Sequence, residues 1–336
     1  MIPENADRSW RGRRVAITGA TGFVGFHVAR RLAAAGADVA ALVRPSADRG
    51  RLVAAGVHCV EGSLEEPASL LQLARGREFL FHVAGAVDFG GDWQRLREVN
   101  VEGTRSVLAA ARAAGVRRLV HTSSIVAVGA TRSPRLLDET YAWNLGPMRV
   151  PYVTTKRQAE ELALAANGKL EVVVVNPGCV VGPDDFAGSE FGTLCRRFWR
   201  GRLPICFGGG NNFVDVRDVA GGMLQAAERG RPGERYLLTG TNRSMTAFFG
   251  ELARASGRTI PRLRLPTALA PVVAAFGEKF ARRGPPALTA PQARVLPYFM
   301  YFSCAKARRE LGYEPRPLRA TLADAHAFWT RTRRAA

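Results

Sequence analysis

The chain has 336 residues, 47% of them hydrophobic and 23% charged, with a formal net charge of +19. That length suits two domains, or one large α/β unit with an appended lobe, and the composition excludes a disordered chain and a disulfide scaffold. Only four of the 48 basic residues are lysine, and the arginines are spread over every segment. The charge therefore gives a basic surface that could draw an anionic ligand or a membrane face, and no specific nucleic-acid partner is expected.

Five scattered cysteines (Cys59, Cys179, Cys195, Cys206, Cys304) form no CxxC and no metal-like spacing with histidine. Reduced thiols, a cytoplasmic location and no metal are expected. The N-terminus is polar and basic, and no apolar stretch reaches the roughly 20 residues of a bilayer span.

In chain order, residues 15–18 read as an apolar strand running into a glycine-rich turn, and 23–35 as a helix stopped at Gly36. Strands follow at 38–43, 57–60 and 78–83, then a long helix at 92–114 and a strand at 118–122. A helix at 153–166 leads to the buried strand 171–177, closed by Pro177. Strands alternating with helices predict an α/β fold, a Rossmann-type doubly wound parallel sheet. We place the dinucleotide-binding domain at 11–177. A smaller C-terminal substrate lobe takes 178–336, with 213–240 returning to the main sheet. No internal repeat is present.

The first strand ends in TGATGFVG, residues 18–25. Gly19 serves the tight turn, Gly22 lets the backbone approach a pyrophosphate, and Gly25 allows close helix-to-strand packing. A helix N-terminus there offers N–H groups to phosphate. At the end of the second strand no carboxylate stands to read a ribose. Arg44 stands instead, and its guanidinium suits a 2′-phosphate. NADP(H) is favoured, with NAD(H) open.

Tyr152 and Lys156 form the chain's one YxxxK, a pattern expected by chance roughly 0.07 times at this composition. On a helix both side chains share a face. An ammonium one turn from a phenol favours the phenolate and brings its pKa toward neutrality. Ser123 and Ser124, in HTSSIVAVG, fall at the carboxyl end of a strand, where a hydroxyl can hold a carbonyl while Tyr152 moves the proton.

Together these motifs resemble the extended short-chain dehydrogenase/reductase family over nearly the whole chain. FHVAGAV, NVEGT, PYVTTK, NPGCVVGPDD and FVDVRDVA add to the likeness. LVRPSADRGRL and SCAKARRELGYEPRPL look most like its dihydroflavonol-reductase, 3β-hydroxysteroid-dehydrogenase and hopanoid-associated members.

The resemblance implies Ser124 as the catalytic serine, Tyr152 as the acid/base and Lys156 as the residue that tunes the tyrosine and holds the nicotinamide ribose. It makes Asn100 a structural or proton-relay residue. It places the cofactor against Gly19, Thr21, Gly22, Phe23, Val24, Gly25, Arg44, Ser63, Leu64, Val83, Ala84, Gly85, Thr122, Pro177, Gly178 and Val180. Two positions depart from the family: Ser63 stands near a common aspartate, and Asn211 and Asn212 stand where nucleotide-sugar members carry an arginine.

Val87, Asn176, Phe186 and Phe191, with Ser124 and Tyr152, are the expected substrate residues. The apolar, basic stretch 259–302 reads as a pocket or a lip near a membrane, against a plainer reading as lobe core or dimer face. The leading expectation is an NADP(H)-dependent enzyme interconverting a secondary alcohol and a ketone on a hydrophobic small molecule. A nucleotide-sugar epimerase or dehydratase with retained NAD(+), and a non-catalytic cofactor-binding sensor, are the alternatives. A homodimer or monomer is expected.

Overall fold

Mostly apolar runs form seven strands, of which the central ones are buried on both faces, as a parallel sheet covered by helices requires, while the edge strand His58–Glu61 is largely uncovered. The computed structural model describes residues 8–203, 205–261, 263–279 and 288–335. Residues 1–7 of the basic N-terminus, and residues 262 and 280–287 of the stretch 259–302, lie outside the described residues.

The first half comprises β1 (Arg14–Thr18), α1 (Phe23–Ala34), β2 (Asp38–Val43), α2 (Gly50–Ala54), β3 (His58–Glu61), α3 (Pro67–Ala74) and β4 (Phe79–His82). The helix α4 (Trp93–Arg97) passes through a π-helical turn at Glu98–Glu102 into α5 (Gly103–Ala113), and β5 (Arg118–Thr122) follows. A short β6 (Leu136–Leu137) precedes α6 (Pro151–Ala165), β7 (Glu171–Pro177) and β8 (Cys179–Val181).

The remaining elements are α7 (Glu190–Trp199), β9 (Ile205–Phe207), β10 (Gly210–Asp215), α8 (Val216–Arg229), β11 (Arg235–Leu238), β12 (Thr241–Ser244) and α9 (Met245–Ser256). After them come β13 (Leu263–Leu265), α10 (Ala270–Lys279), α11 (Ala290–Val295), β14 (Tyr301–Phe302), α12 (Ala305–Leu311) and α13 (Leu318–Ala335).

The main sheet runs β11-β7-β5-β4-β1-β2-β3, all parallel. One apolar core joins α1, α8 and α12 to one face, and a second joins α3, α5 and α6 to the other. This is the doubly wound Rossmann-type fold. The chain leaves β1 toward β2 and returns to its other side at β4, so a crevice opens at the carboxyl ends of those two strands.

Within 213–240, α8 packs on α1 and β11 completes the main sheet, whereas β10 joins a small sheet with β8 and β12. A separate core of Cys195, Phe198, Trp199, Phe213, Phe248 and Leu322 holds the lobe. Among the described residues no helix is long and apolar enough to cross a membrane.

Candidate active site

The turn after β1 is shaped by what its glycines lack. Gly19 has φ +77°, and a Cβ there would stand 2.5 Å from the Ala84 nitrogen. A Cβ on Gly25 would stand 2.1 Å from the Gly19 carbonyl oxygen. Gly22 caps α1 with extended backbone and no side-chain hydrogen bond, so the first-turn N–H groups, including those of Phe23 and Val24, face the crevice beside exposed Thr21. This cradle, which any side chain would fill, fits the pyrophosphate of a nicotinamide dinucleotide.

The rest of the expected cofactor wall lines up along the strand ends. Arg44 follows β2 directly and is exposed. Ser63 and Leu64 follow β3, where the Ser63 hydroxyl accepts from the Glu65 N–H at 3.3 Å. Val83 and Ala84 donate to the Thr18 carbonyl and hydroxyl. Gly85 lies close to the Lys156 ammonium. Pro177, Gly178 and Val180 run from β7 into β8.

Asn100 sits in the π-turn and is buried. Its Oδ1 accepts from the Ala86 N–H at 2.8 Å, and its amide donates to the Ala86 carbonyl and the Thr155 hydroxyl, both at 3.1 Å. The side chain is thus spent on clamping the 83–87 loop to α6. Thr104 donates to the Asn100 carbonyl at 2.6 Å, which leaves His82 Nε2 to donate to Thr104 and His82 Nδ1 to accept from Thr18. Burial lowers the His82 pKa to about 3, so it is neutral.

At the far end of the crevice, the Ser124 hydroxyl stands beside the Tyr152 phenol, near enough to favour its anion. Ser124 caps a short 3-10 turn at Ile125–Ala127, accepting from the Val126 N–H at 3.4 Å. The Ser123 hydroxyl is buried with no hydrogen-bond partner. Tyr152 is buried with the Phe89 ring 4.9 Å away. Lys156 donates to the Thr122 carbonyl at 2.7 Å.

The expected lowering of the tyrosine pKa is not present in this arrangement. Burial pushes Tyr152 up to about 12, the Ser124 hydroxyl opposes that rise, and Cys179 and Glu190 add to it. Burial also lowers Lys156 to about 8. Desolvation disfavours both charged forms, and the ammonium is turned to a backbone carbonyl instead of the phenol.

Three expected substrate residues stand elsewhere. Asn176 is fully buried, its amide donating to the Ser124 carbonyl at 3.0 Å and to Glu160, so it supports the serine from behind. Phe186 packs with Phe26 and Phe328 under the Arg51 guanidinium, on the α1–α2 side. Phe191 packs edge-on against Phe213 in the lobe core. Val87 is exposed on the loop after β4.

The wall over Tyr152 comes from residues the motifs do not mark. Gln292 completes a capping box with Thr289 at the start of α11 and reaches Glu190 of α7 at 3.5 Å. Glu190 has its pKa raised by burial and by Asp88. Glu190 in turn acts on the phenol, so an acidic side chain stands beside Tyr152 where an anionic substrate would be repelled. Asn212 is committed to Gly240 and Asn242, and Arg217 to Asp215 and Asp324.

Glu160, fully buried one turn beyond Lys156, is a further member that sequence spacing could have found. A separate groove of about 670 Å³ beside β11 is lined by charges already paired, Lys306 with Glu234 and Arg231 with Glu310.

The sequence profile described as the NAD dependent epimerase/dehydratase family matches residues 15–238. The chain is 36% identical to sterol demethylase protein B of Methylococcus capsulatus, over 94% of this chain and 98% of that one. It is 34% identical to 4-hydroxy-2-methyl-3-oxo-4-farnesyl-3,4-dihydroquinoline-1-oxide ketoreductase of Stigmatella aurantiaca, over 90% and 92%. Among solved structures, that of gox2253 superposes with a TM-score of 0.84 at 34% identity, covering 96% of this chain and 99% of that one.

Proposed function

The chain belongs to the NAD dependent epimerase/dehydratase family, and from that premise we propose that it interconverts a secondary alcohol and a ketone on a hydrophobic small molecule, using NADP(H). It is an oxidoreductase of the extended short-chain dehydrogenase/reductase type. The observation that carries the reading is the convergence of the Ser124 and Tyr152 hydroxyls, with Lys156 one turn along the helix, at the carboxyl ends of the strands.

When bound, the nicotinamide would supply or accept the hydride. The Gly19–Gly25 cradle would take its pyrophosphate, Arg44 its 2′-phosphate, and Lys156 its ribose. Ser124 would hold the substrate oxygen and Tyr152 would give or take its proton. A phenol pushed up to about 12 by burial is a proton donor at neutral pH, which suits ketone reduction.

A sterol-, flavonoid- or lipid-like substrate is supported by the relatives' names and by Glu190 beside Tyr152. Leu263, Leu269 and Val272, exposed on the lobe, fit a lobe that meets lipid. The commitment of Asn212 and Arg217 to other partners argues against a diphosphate substrate.

Tyr152→Phe tests the reading. NADPH-dependent turnover of a steroid ketone should fall about a hundredfold or more, with NADPH affinity nearly kept. Near-normal turnover would overturn the mechanism. Tightly retained NAD(+) without net cofactor turnover would favour the epimerase alternative.

A further inference from the structure

Tyr152, Lys156 and Glu160 stand four residues apart on α6 and share one face. The first two belong to the site. Glu160 is fully buried, and a carboxylate stripped of water needs a countercharge and hydrogen bonds to persist. Arg235, from the edge strand β11, lies 2.9 Å from its Oε1. Its Oε2 accepts from the Asn176 amide of β7, and that amide also donates to the Ser124 carbonyl at 3.0 Å. Two strands and a helix therefore converge on one carboxylate directly behind the reacting serine.

Among the described residues, the groups facing Lys156 come from its own helix and from the sheet. Glu160 lies one turn along its own helix. His82 on β4 and His121 on β5 stand on the sheet side, both held neutral by burial. The Thr122 carbonyl takes the ammonium at 2.7 Å. Tyr152 is protonated at neutral pH. Glu160 is the anion of the set.

We propose that Glu160 and Arg235 act as a positioning pair for the reaction, fixing the Ser124 carbonyl through Asn176 and keeping Lys156 an ammonium through charge. This rests on the role given to Lys156 above. Burial lowers the Lys156 pKa to about 8, and the Glu160 carboxylate opposes the fall. Without that carboxylate, Arg235 and Lys156 repel, and Lys156 sheds its proton at a lower pH than in the wild type.

Two measurements on the purified full chain test the action of Glu160 on Lys156. The first needs no turnover: thermal unfolding of wild type, Glu160→Gln, Lys156→Met and the double variant. The losses should be non-additive, because Lys156→Met removes the charge that Glu160 answers. Additive losses would show that Glu160 does not act on Lys156 and would overturn the proposal, whatever the enzyme's reaction.

The second follows NADPH-dependent ketone reduction from about pH 6 to about pH 9. Wild-type turnover should fall above about pH 8. The fall in Glu160→Gln should begin lower, with about a tenfold loss at pH 8 and little at pH 6. Glu160→Asp, which keeps the charge, should return the limb to the wild-type position. A uniform loss across the whole range, or no return in Glu160→Asp, would mark a merely structural role and overturn the proposal. If wild type reduces no ketone, the function proposed above fails, and the unfolding cycle still decides whether Glu160 acts on Lys156.

Discussion

The turn after β1 and the helix α10 both turn small residues inward, for different reasons. At the turn, backbone meets backbone. A Cβ on Gly25 would reach within 2.1 Å of the Gly19 oxygen, and the side chains around it, Ile17, Val28 and Leu32, are fully buried. In α10 the buried residues are Ala270 and Ala274, while the larger apolar side chains face water: Val272 is 51% exposed, with Leu269 beside it at 44%. A surface helix that served only its own core would place those residues the other way round. The cofactor half spends its apolar surface on its own core. The lobe leaves part of it outside.

The comparison breaks first at the turn if that packing is not as tight as the geometry says. Gly25→Val puts a branched side chain where one carbon does not fit. NADPH binding, read by fluorescence titration, should weaken by about a hundredfold or more. Retained affinity would show that the Gly19 loop can move aside. Arg44→Asp comes next. It replaces an exposed guanidinium at the end of β2 with a carboxylate that accepts from a ribose and repels a 2′-phosphate. The ratio of NADPH to NADH affinity should fall about tenfold or more, and an unchanged ratio would remove Arg44 from cofactor choice.

What the sequence made legible is what depends on neighbours along the chain. TGATGFVG and the YxxxK each lie on one turn or one helix, so spacing alone fixes their geometry. The alternation of β1 to β5 with helices gave the sheet. The predicted helix 92–114 missed the π-turn at Glu98–Glu102, because one extra residue leaves the apolar periodicity almost unchanged. The short helices α2 and α3 carry too few turns to show a period.

Asn176 was misread for another reason. On a strand buried on both faces, residue type does not say whether a polar side chain meets a substrate or a hidden carboxylate, and Glu160 decides it. Phe186 and Phe191 show the same ambiguity, since a phenylalanine in the lobe can pack on the surface, as Phe186 does, or against the lobe core, as Phe191 does. Glu190 and Gln292 meet over Tyr152 only through tertiary structure. The tyrosine pKa was misjudged because spacing shows the ammonium and not the burial that outweighs it.

The smallest expected effect tests the outer side of the comparison. Val272→Ser removes an apolar side chain that is half exposed on α10, so little buried area is lost. Stability in urea should change by less than about 0.5 kcal/mol. The change should instead appear as a higher KM for a steroid ketone, with kcat kept, if the exposed strip helps deliver a lipophilic substrate. A loss of more than about 1 kcal/mol would mean that Val272 is covered in solution. A second copy of the chain would then be the first candidate, and a stability that rises with protein concentration would identify it. In that case the lobe would bury its apolar surface as fully as the cofactor half, and the difference between the two regions would be one of partner, not of principle.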